Sequence, residues 1–394
     1  MIVSRREAAY SLHIFFSLIL GLLFRFAKVK HNKKYVFSLI GMFQIICFCG
    51  VEGLHFVVMV VVATWMIKSN FFKNPRIVFV FCFGYRVFFS SFIYIGLPRN
   101  ENNLANGLML VATLKMIVVA YEVMDFRTVS RNGETKESYR TLGVLILAKE
   151  PSTLDIYCYM TCYCGLFTGP IYKYRTYHDM LVSTYQPVTK IVMRKMKEAL
   201  LVAGLCSLVF YNLNINYFEG INAYSDSLII RILHIYPIGL ALQVRFNIIW
   251  ILAECGCVLI GLGMYPVKSK PVPGQGPTHI FDEKSKMPDY NFDTIMNSKL
   301  YGVLQPVMWK AVRDWNCCVQ WWLAHFVYQS NIFPRRLKAI RALVTLFMSG
   351  LWHGVKPGYL TYLLFPYVAF FERRCISFKN HYLQSQLSQK IYLK

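Results

Sequence analysis

A histidine lies in an apolar part of the chain, within the stretch "FMSGLWHGVKPGY" (residues 347–359). Imidazole has an unperturbed pKa of about 6.5, so His353 has the chemistry of a general base at neutral pH. If this segment is a helix that ends near Gly354, then Ser349 and Gly350 lie on the same side as the imidazole and leave room beside it. The alternative is a buried structural histidine, and position alone does not decide between the two roles.

A second group of polar residues lies in the aromatic stretch "RDWNCCVQWWLAHFVY" (residues 313–328). As one continuous helix, this stretch would place Arg313, Asn316 and Gln320 on one face, with His325 on the opposite side. Lipid offers no hydrogen-bond partners, so such a stripe must be satisfied inside the protein. It indicates either hydrogen bonds that hold helices together or a functional site.

The composition indicates that both stretches belong to a membrane protein. Hydrophobic residues make up 56% of the 394-residue chain and charged residues 16%, whereas soluble proteins carry about 25% charged residues. The net charge of +23 could serve nucleic acid, but no nucleic-acid-binding motif accompanies it. The basic residues instead separate the apolar spans, which is typical of loops beside anionic lipid. We therefore expect a lipid bilayer, and no nucleic acid, as partner.

The elements that must position these residues are membrane helices, each of which needs about 20 mostly apolar residues. The candidate spans are 9–27, 35–50, 52–67, 77–97, 104–124, 153–170, 198–216, 229–248, 249–265, 304–330 and 338–371. The second and third are short and form either one broken helix or a re-entrant pair, and the last is long enough for two helices. This pattern predicts an all-α polytopic membrane protein with about nine to eleven membrane segments.

Ionisable residues inside the spans should face the bundle interior or a watery cavity, because charge is costly in lipid. Each forms either an internal ion pair or a substrate contact. They are Arg86, Lys115, Glu122, Arg231, Arg245 and Glu254. Lys115 and Glu122 are seven positions apart and share a helical face.

Three other features concern the kinds of site to expect and the organisation of the chain. Residues 266–300 form a Pro- and Gly-rich polar loop directly before the Asn316 stretch, either as a plain connector or as a functional loop. The twelve cysteines contain no C-x-x-C pair, so we expect neither a metal site nor a disulfide framework. The N-terminus has a basic start and an apolar run without a small-residue cleavage site, which predicts a retained signal anchor.

Three further stretches accompany the two described first. They are "GLFTGPIYKYRTY" (residues 165–177), "WILAECGC" (residues 250–257) and "YNFDTIMN" (residues 290–297). Together with "DWNCCVQWWL" and "SGLWHG", they resemble the membrane-bound O-acyltransferase family, and most closely its lysophosphatidylinositol acyltransferase branch. That family's signature is a membrane asparagine followed some tens of residues later by a histidine, matched here by Asn316 and His353. The resemblance implies that the membrane segments surround a buried catalytic chamber.

The resemblance also implies a reaction, which is acyl transfer from acyl-CoA to the free hydroxyl of a lysophospholipid. Acyl-CoA would be a co-substrate, and no bound cofactor is expected. His353 would take the proton of the hydroxyl as it attacks the thioester, and Asn316 would either stabilise the oxyanion or orient the hydroxyl. A covalent alternative uses Cys317 or Cys318 as an acyl carrier, although neither has a sequence signature of an activated thiol.

Polar and basic residues near the two motifs are candidates for substrate binding, because CoA and inositol phospholipids carry phosphates. The candidates are Arg313, Gln320, Ser349, Lys268, Lys270, Arg335 and Arg336. Positive-inside topology alone is the alternative explanation of the basic ones.

The chain is interpreted as one domain over residues 1–394. Family members usually continue well past the histidine, whereas here the polar tail "NHYLQSQLSQKIYLK" follows soon after it, which predicts a shortened C-terminus. The resemblance implies the endoplasmic reticulum membrane, and the sequence specifies no protein partner. The alternatives are a transporter or channel that uses the ionisable residues as a path, or an inactive family member.

Overall fold

A computed structural model describes most of the chain, and the architecture within the described ranges is mainly helical. Those ranges are residues 5–27, 32–69, 74–92, 94, 103–131, 147, 149–183, 189–209, 227–279, 289–299, 308–330 and 332–360. The parts of the predicted spans at 95–97, 210–216, 304–307 and 361–371 lie outside them, as does the polar tail.

The helices of the first half of the chain are α1 (Arg5–Ala27), α2 (Lys33–Cys49), α3 (Gly53–Lys68), α4 (Pro75–Ser91) and α5 (Asn103–Arg131). They are followed by α6 (Thr153–Met160), α7 (Tyr174–Val182), α8 (Thr189–Val209) and α9 (Leu228–Leu259). Strand β1 (Tyr265–Pro266) pairs antiparallel with β2 (Tyr290–Asn291). The last elements are α10 (Met308–Arg313), α11 (Cys317–Leu323), a π-helical turn (Ala324–Tyr328), α12 (Lys338–His353) and α13 (Pro357–Leu360).

Helix α5 is the centre of the bundle. It packs against α2, α3, α4, α6 and α7, and Met109, Met116 and Val119 are fully buried. A helix that is apolar on all sides is expected in such a position. By contrast, α1 and α9 pack on one another and expose large apolar side chains such as Phe26 and Ile229. These outward faces suit lipid.

Four helical segments in the described ranges are long and apolar enough to cross a membrane: Ala9–Phe26, Lys33–Lys68, Leu104–Arg131 and Leu228–Leu259. An integral membrane protein is therefore confirmed, whereas this count does not confirm the prediction of nine to eleven segments. The predicted spans 35–50 and 52–67 are consecutive helices joined by the 3-10 turn Gly50–Glu52. This arrangement corresponds to the broken helix of the two alternatives.

Three predicted spans have different boundaries in the structure. Spans 229–248 and 249–265 are one helix, α9, that contains Pro237 and ends at Leu259. The predicted helix over 153–170 is wrong beyond Met160, because Gly165 and Gly169 adopt left-handed backbone angles (φ 71° and 78°) that a helix cannot contain. Residues 161–173 instead form a series of turns beside α5.

Close packing of α2 against these turns gives a test of the fold. A Cβ atom at Gly41 would lie 1.7 Å from the carbonyl oxygen of Thr161, so Gly41→Ala must separate the two segments. We expect it to lower the thermal unfolding midpoint of detergent-solubilised protein by the equivalent of about 1–3 kcal/mol. Gly84→Ala in α4 is the matched control, because nothing lies within 4 Å of its added methyl. Equal midpoints for the two variants would contradict this packing.

The loop before α6 is held by a carboxylate outside the membrane-spanning helices. Glu150 accepts from Arg127 (2.7 and 3.1 Å) and from Lys68 (2.7 Å), and so connects the ends of α3 and α5. The Arg127 hydrogen bonds, helped by the Lys68 ammonium, lower the pKa of Glu150 from 4.5 to about 2.

This lowered pKa predicts the pH dependence of stability. A carboxylate with a depressed folded-state pKa stabilises fully above its unfolded value of 4.5, and the contribution is lost as the pH falls from there toward 2. The difference in unfolding midpoint between the native chain and Glu150→Gln should therefore be constant near neutral pH and shrink below pH 4.5. A difference that does not change with pH would contradict the assignment.

Candidate active site

Asn316 lies in a break between two helices. The continuous helix expected over residues 313–328 is wrong, because α10 ends at Arg313 and α11 begins at Cys317. Asn316 between them has left-handed backbone angles (φ 44°, ψ 54°) and makes no side-chain capping hydrogen bond. Asparagine tolerates this conformation better than most residues other than glycine. Its amide side chain is therefore not used to cap the helix that it starts.

The predicted polar stripe is consequently not a helical face. The Gln320 amide nitrogen donates to the carbonyl oxygens of Val312 and Trp315, which satisfies the backbone around the break. The Arg313 side chain is exposed. Gln320 thus maintains the turn at Asn316, and the structure gives it a supporting contact where the sequence suggested a substrate contact.

The polar loop at 266–300 forms part of this turn. The Cys317 N–H donates to the Asn297 carbonyl oxygen (2.6 Å), and the Lys299 N–H donates to that of Asp314 (3.3 Å). The Lys299 ammonium also lies 3.6 Å from the Asp314 carboxylate. These contacts lie on both sides of Asn316, so the described part of the loop is more than a connector.

The same loop also covers α11. A Cβ atom at Gly274 (φ 74°) would lie 2.6 Å from the Trp321 ring, and the neighbouring Gln275 accepts from the Trp321 indole (3.2 Å). On another side, the Lys173 ammonium lies 5.4 Å from the centroid of the Trp321 ring. Trp321 and Gly274 were not among the predicted residues, and the only sequence signal for them was the glycine-rich "PGQG" beside an aromatic motif.

His353 is the last residue of α12, and Gly354 follows it with φ 144°. The predicted helix end is therefore confirmed. The imidazole stacks on the Tyr359 ring at a centroid distance of 5.8 Å and lies 4.6 Å from the Trp352 ring. The predicted space beside Gly350 is filled, because a Cβ there would meet the Tyr359 carbonyl oxygen at 3.3 Å. The ring is thus held between aromatic neighbours.

A buried arginine binds the end of the His353 helix. Arg86 of α4 is fully buried. It donates from Nε to the Trp352 carbonyl oxygen (3.1 Å) and from Nη2 to that of His353 (2.8 Å). It also donates to the side chains of Asn106 and Ser90. Terminal helix carbonyls lack intrahelical donors, and this guanidinium supplies them.

The segments that carry Asn316 and His353 share one support. The Trp322 indole donates to the Leu114 carbonyl oxygen (3.2 Å), and the Trp352 indole donates to that of Leu110 (2.9 Å). These oxygens are one turn apart on α5, about 6 Å along its axis. The structure thus brings both segments to the same helix, although none of the contacts described between them joins the two side chains directly.

The remaining substrate-binding candidates are exposed or half-buried. Lys268, Lys270, Arg335 and Arg336 have exposed side chains, in the turn after β1 and in the turn before α12. Ser349 is half-buried in α12. The role of these side chains in substrate binding stays a prediction.

Three ionisable residues of the predicted spans bind protein groups. Lys115 donates to the Tyr159 carbonyl oxygen (2.9 Å), and Glu122 accepts from the backbone of Tyr174 (2.8 Å). The two share a helical face, as predicted, but each fixes a different part of residues 159–175. Glu254 and Lys195 form an internal ion pair (2.5 Å). These side chains stabilise the bundle through contacts within the protein, which corresponds to the structural role of the two alternatives.

The two cysteines of the motif are hydrogen-bond donors. The Cys317 thiol donates to the Arg313 carbonyl oxygen (3.7 Å), and the buried Cys318 thiol donates to that of Met296 (3.4 Å). Such acceptors favour the protonated thiol, which is a poor acyl acceptor. Within the described ranges, no group of three or more His, Cys, Asp or Glu side chains is placed to hold a metal ion.

Known proteins resemble this chain over most of its length. The model of the MBOAT, membrane-bound O-acyltransferase, family matches residues 108–392, which include both Asn316 and His353. Human membrane-bound acylglycerophosphatidylinositol O-acyltransferase MBOAT7 is 30% identical over 375 residues, which cover 92% of this chain and 78% of that protein. The zebrafish (Danio rerio) protein of that name is 32% identical, with coverage of 88% and 74%. The frj protein of Drosophila melanogaster, with the same enzyme name, is 29% identical, with coverage of 83% and 70%.

The hydrogen bonds from Arg86 to the carbonyl oxygens at the end of α12 lead to a prediction about stability. Arg86→Leu removes the donor that binds two helix carbonyls and the Asn106 amide oxygen, and loss of the partner of a buried polar group costs about 1–3 kcal/mol. We expect a large fall in the thermal unfolding midpoint in detergent, and a smaller fall for Arg86→Lys, whose single ammonium cannot reach all of these oxygens. Arg194→Leu, at an exposed position of α8, is the control. Equal midpoints for the Arg86→Leu and Arg194→Leu variants would show that the hydrogen bonds of Arg86 do not stabilise the fold.

Proposed function

The chain belongs to the membrane-bound O-acyltransferase family, and we propose that it transfers an acyl chain from acyl-CoA to the free hydroxyl of lysophosphatidylinositol. The family resemblance predicted from the motifs is thereby confirmed, and with it O-acyltransferase chemistry. The acceptor is proposed from the names of the relatives, which are acylglycerophosphatidylinositol O-acyltransferases in vertebrates and in the fly. The observation that carries the proposal is the joint docking of the Asn316 and His353 segments on α5.

His353 is the proposed general base. A lipid hydroxyl is a poor nucleophile at neutral pH, so the imidazole takes its proton while the hydroxyl oxygen attacks the thioester carbonyl. The tetrahedral intermediate then collapses, the carbon–sulfur bond breaks, and the imidazolium returns the proton to the departing CoA thiolate. Stacking on Tyr359 and the Arg86 contacts to the helix end fix the ring for both transfers.

Asn316 is proposed to act beside His353 through its side-chain amide. Its side chain either donates to the oxyanion of the intermediate or orients the acceptor hydroxyl. The left-handed turn places Asn316 outside both flanking helices, and its amide makes no capping hydrogen bond. A fixed amide needs no rearrangement as charge develops, which is the requirement for electrostatic stabilisation of a transition state.

The exposed basic residues are proposed to attract the negatively charged substrates from a distance. Lys268, Lys270, Arg335 and Arg336 have exposed side chains, and a net charge of +23 attracts the phosphates of both substrates to the protein surface. The proposed location is the endoplasmic reticulum membrane. The whole of residues 1–394 is proposed to act as one domain, in which residues 266–300 complete the turn at Asn316.

An assay in microsomes tests the function and the two roles. The chain is expressed and supplied with labelled polyunsaturated acyl-CoA and a panel of lysophospholipids. We expect labelled phosphatidylinositol from the native chain. The initial rate should be at least about a hundredfold lower for His353→Ala, because general base catalysis contributes 10²–10⁴-fold, and it should be strongly reduced for Asn316→Ala.

His279→Ala is the matched control, since His279 is exposed in the polar loop and should leave the rate unchanged. Equal product from the native chain and from His353→Ala would refute the mechanism. Product only with a different lysophospholipid would refute the proposed acceptor while leaving acyl transfer intact.

A further inference from the structure

A buried carboxylate lies two hydrogen bonds away from the turn at Asn316. Glu254 of α9 has no exposed surface, and both of its oxygens are bound. Oε2 accepts from the Lys195 ammonium of α8 (2.5 Å), whereas Oε1 accepts from the backbone N–H of Asn297 (2.7 Å). A carboxylate in a membrane helix needs a partner of this kind, because an unpaired buried charge is strongly unfavourable.

The second of these bonds leads directly to the turn. Asn297 receives the Cys317 N–H on its carbonyl oxygen (2.6 Å), and Cys317 is bonded covalently to Asn316. The two sides of Asn297 therefore connect the carboxylate to the first residue of α11. Backbone in the left-handed region persists in a non-glycine residue only when its surroundings hold it there. This chain of two hydrogen bonds is such a constraint.

We propose that Glu254 is a positioning residue for Asn316: its carboxylate fixes Asn297, and Asn297 fixes the turn that presents the Asn316 amide. The inference rests on the proposed function, since it concerns the rate of that acyl transfer. Lys195 compensates the charge and holds the carboxylate, and Glu254 itself does not touch the reacting atoms.

Two double variants separate these roles. Lys195→Met with Glu254→Gln removes both charges but keeps an amide oxygen that can accept from Asn297. Lys195→Met with Glu254→Leu removes the same charges and also the acceptor. The two proteins therefore differ in the hydrogen bond to Asn297 and are matched in the loss of the ion pair. Rates are measured per amount of monodisperse protein in detergent or vesicles, with lysophosphatidylinositol and labelled acyl-CoA.

We expect the glutamine double variant to keep kcat within about threefold of the native value, and the leucine double variant to lose about 10–100-fold, since a small misplacement of a catalytic group has effects of this size. KM for both substrates should change less than about twofold, because the proposed defect lies in positioning for the chemical step. Equal kcat for the two double variants would overturn the inference. So would an effect of the leucine variant confined to KM.

A third variant keeps the test decisive if the leucine double variant does not fold. Glu254→Asp retains the charge opposite Lys195 but withdraws the carboxylate by one methylene from Asn297. A kcat at least about tenfold below native with unchanged KM supports the inference, and a native kcat overturns it. If the native chain is active and none of the variants has a changed kcat, the positioning role alone is rejected. If the native chain is inactive on every acceptor, the proposed function and the positioning role are rejected together.

Discussion

The arrangement of this protein depends on helix α5, whose backbone carbonyl oxygens accept hydrogen bonds from other segments. Two indole N–H groups, from Trp322 and Trp352, donate to carbonyl oxygens on consecutive turns of α5. Within a membrane, a polar group without a protein partner has no water to replace it, so these bonds fix which segments can lie beside α5. Both tryptophans belong to the segments that carry Asn316 and His353. The geometry of the site is therefore defined against the most buried of the four candidate membrane spans in the described ranges.

Each half of the candidate site ends or interrupts a helix, and each interruption is satisfied by a buried charge from a distant element. Arg86 donates to the terminal carbonyls of the His353 helix, and Glu254 accepts from the loop that completes the Asn316 turn. The two charges fit the groups that they bind, because a guanidinium supplies several donors to helix carbonyls and a carboxylate supplies an acceptor to a backbone N–H. Such charges are stable in the bundle because they replace water at helix breaks.

The sequence predicted the end of the His353 helix well, because Gly354 and Pro357 terminate helices through local backbone geometry. It failed at Asn316. The helical spacing of Arg313 and Gln320 suggested a continuous face, but the break depends on a hydrogen bond from Cys317 to Asn297, far away in the chain. The same limit applies to α6, whose predicted continuation is replaced by turns packed under α2. Periodicity reports local preference, and these departures are set by tertiary contacts.

The position of α5 in the chain has a consequence for biosynthesis. Residues 103–131 precede the segments that they support by about two hundred residues, and Arg86 also precedes the helix end that it binds. During synthesis, the carbonyl acceptors and the guanidinium are therefore in place before Trp322 and Trp352 leave the ribosome. Chains that fold from the N-terminus expose little unsatisfied surface when late segments meet a finished template. The segments of Asn316 and His353 are thus synthesised after the groups that they bind on α4 and α5.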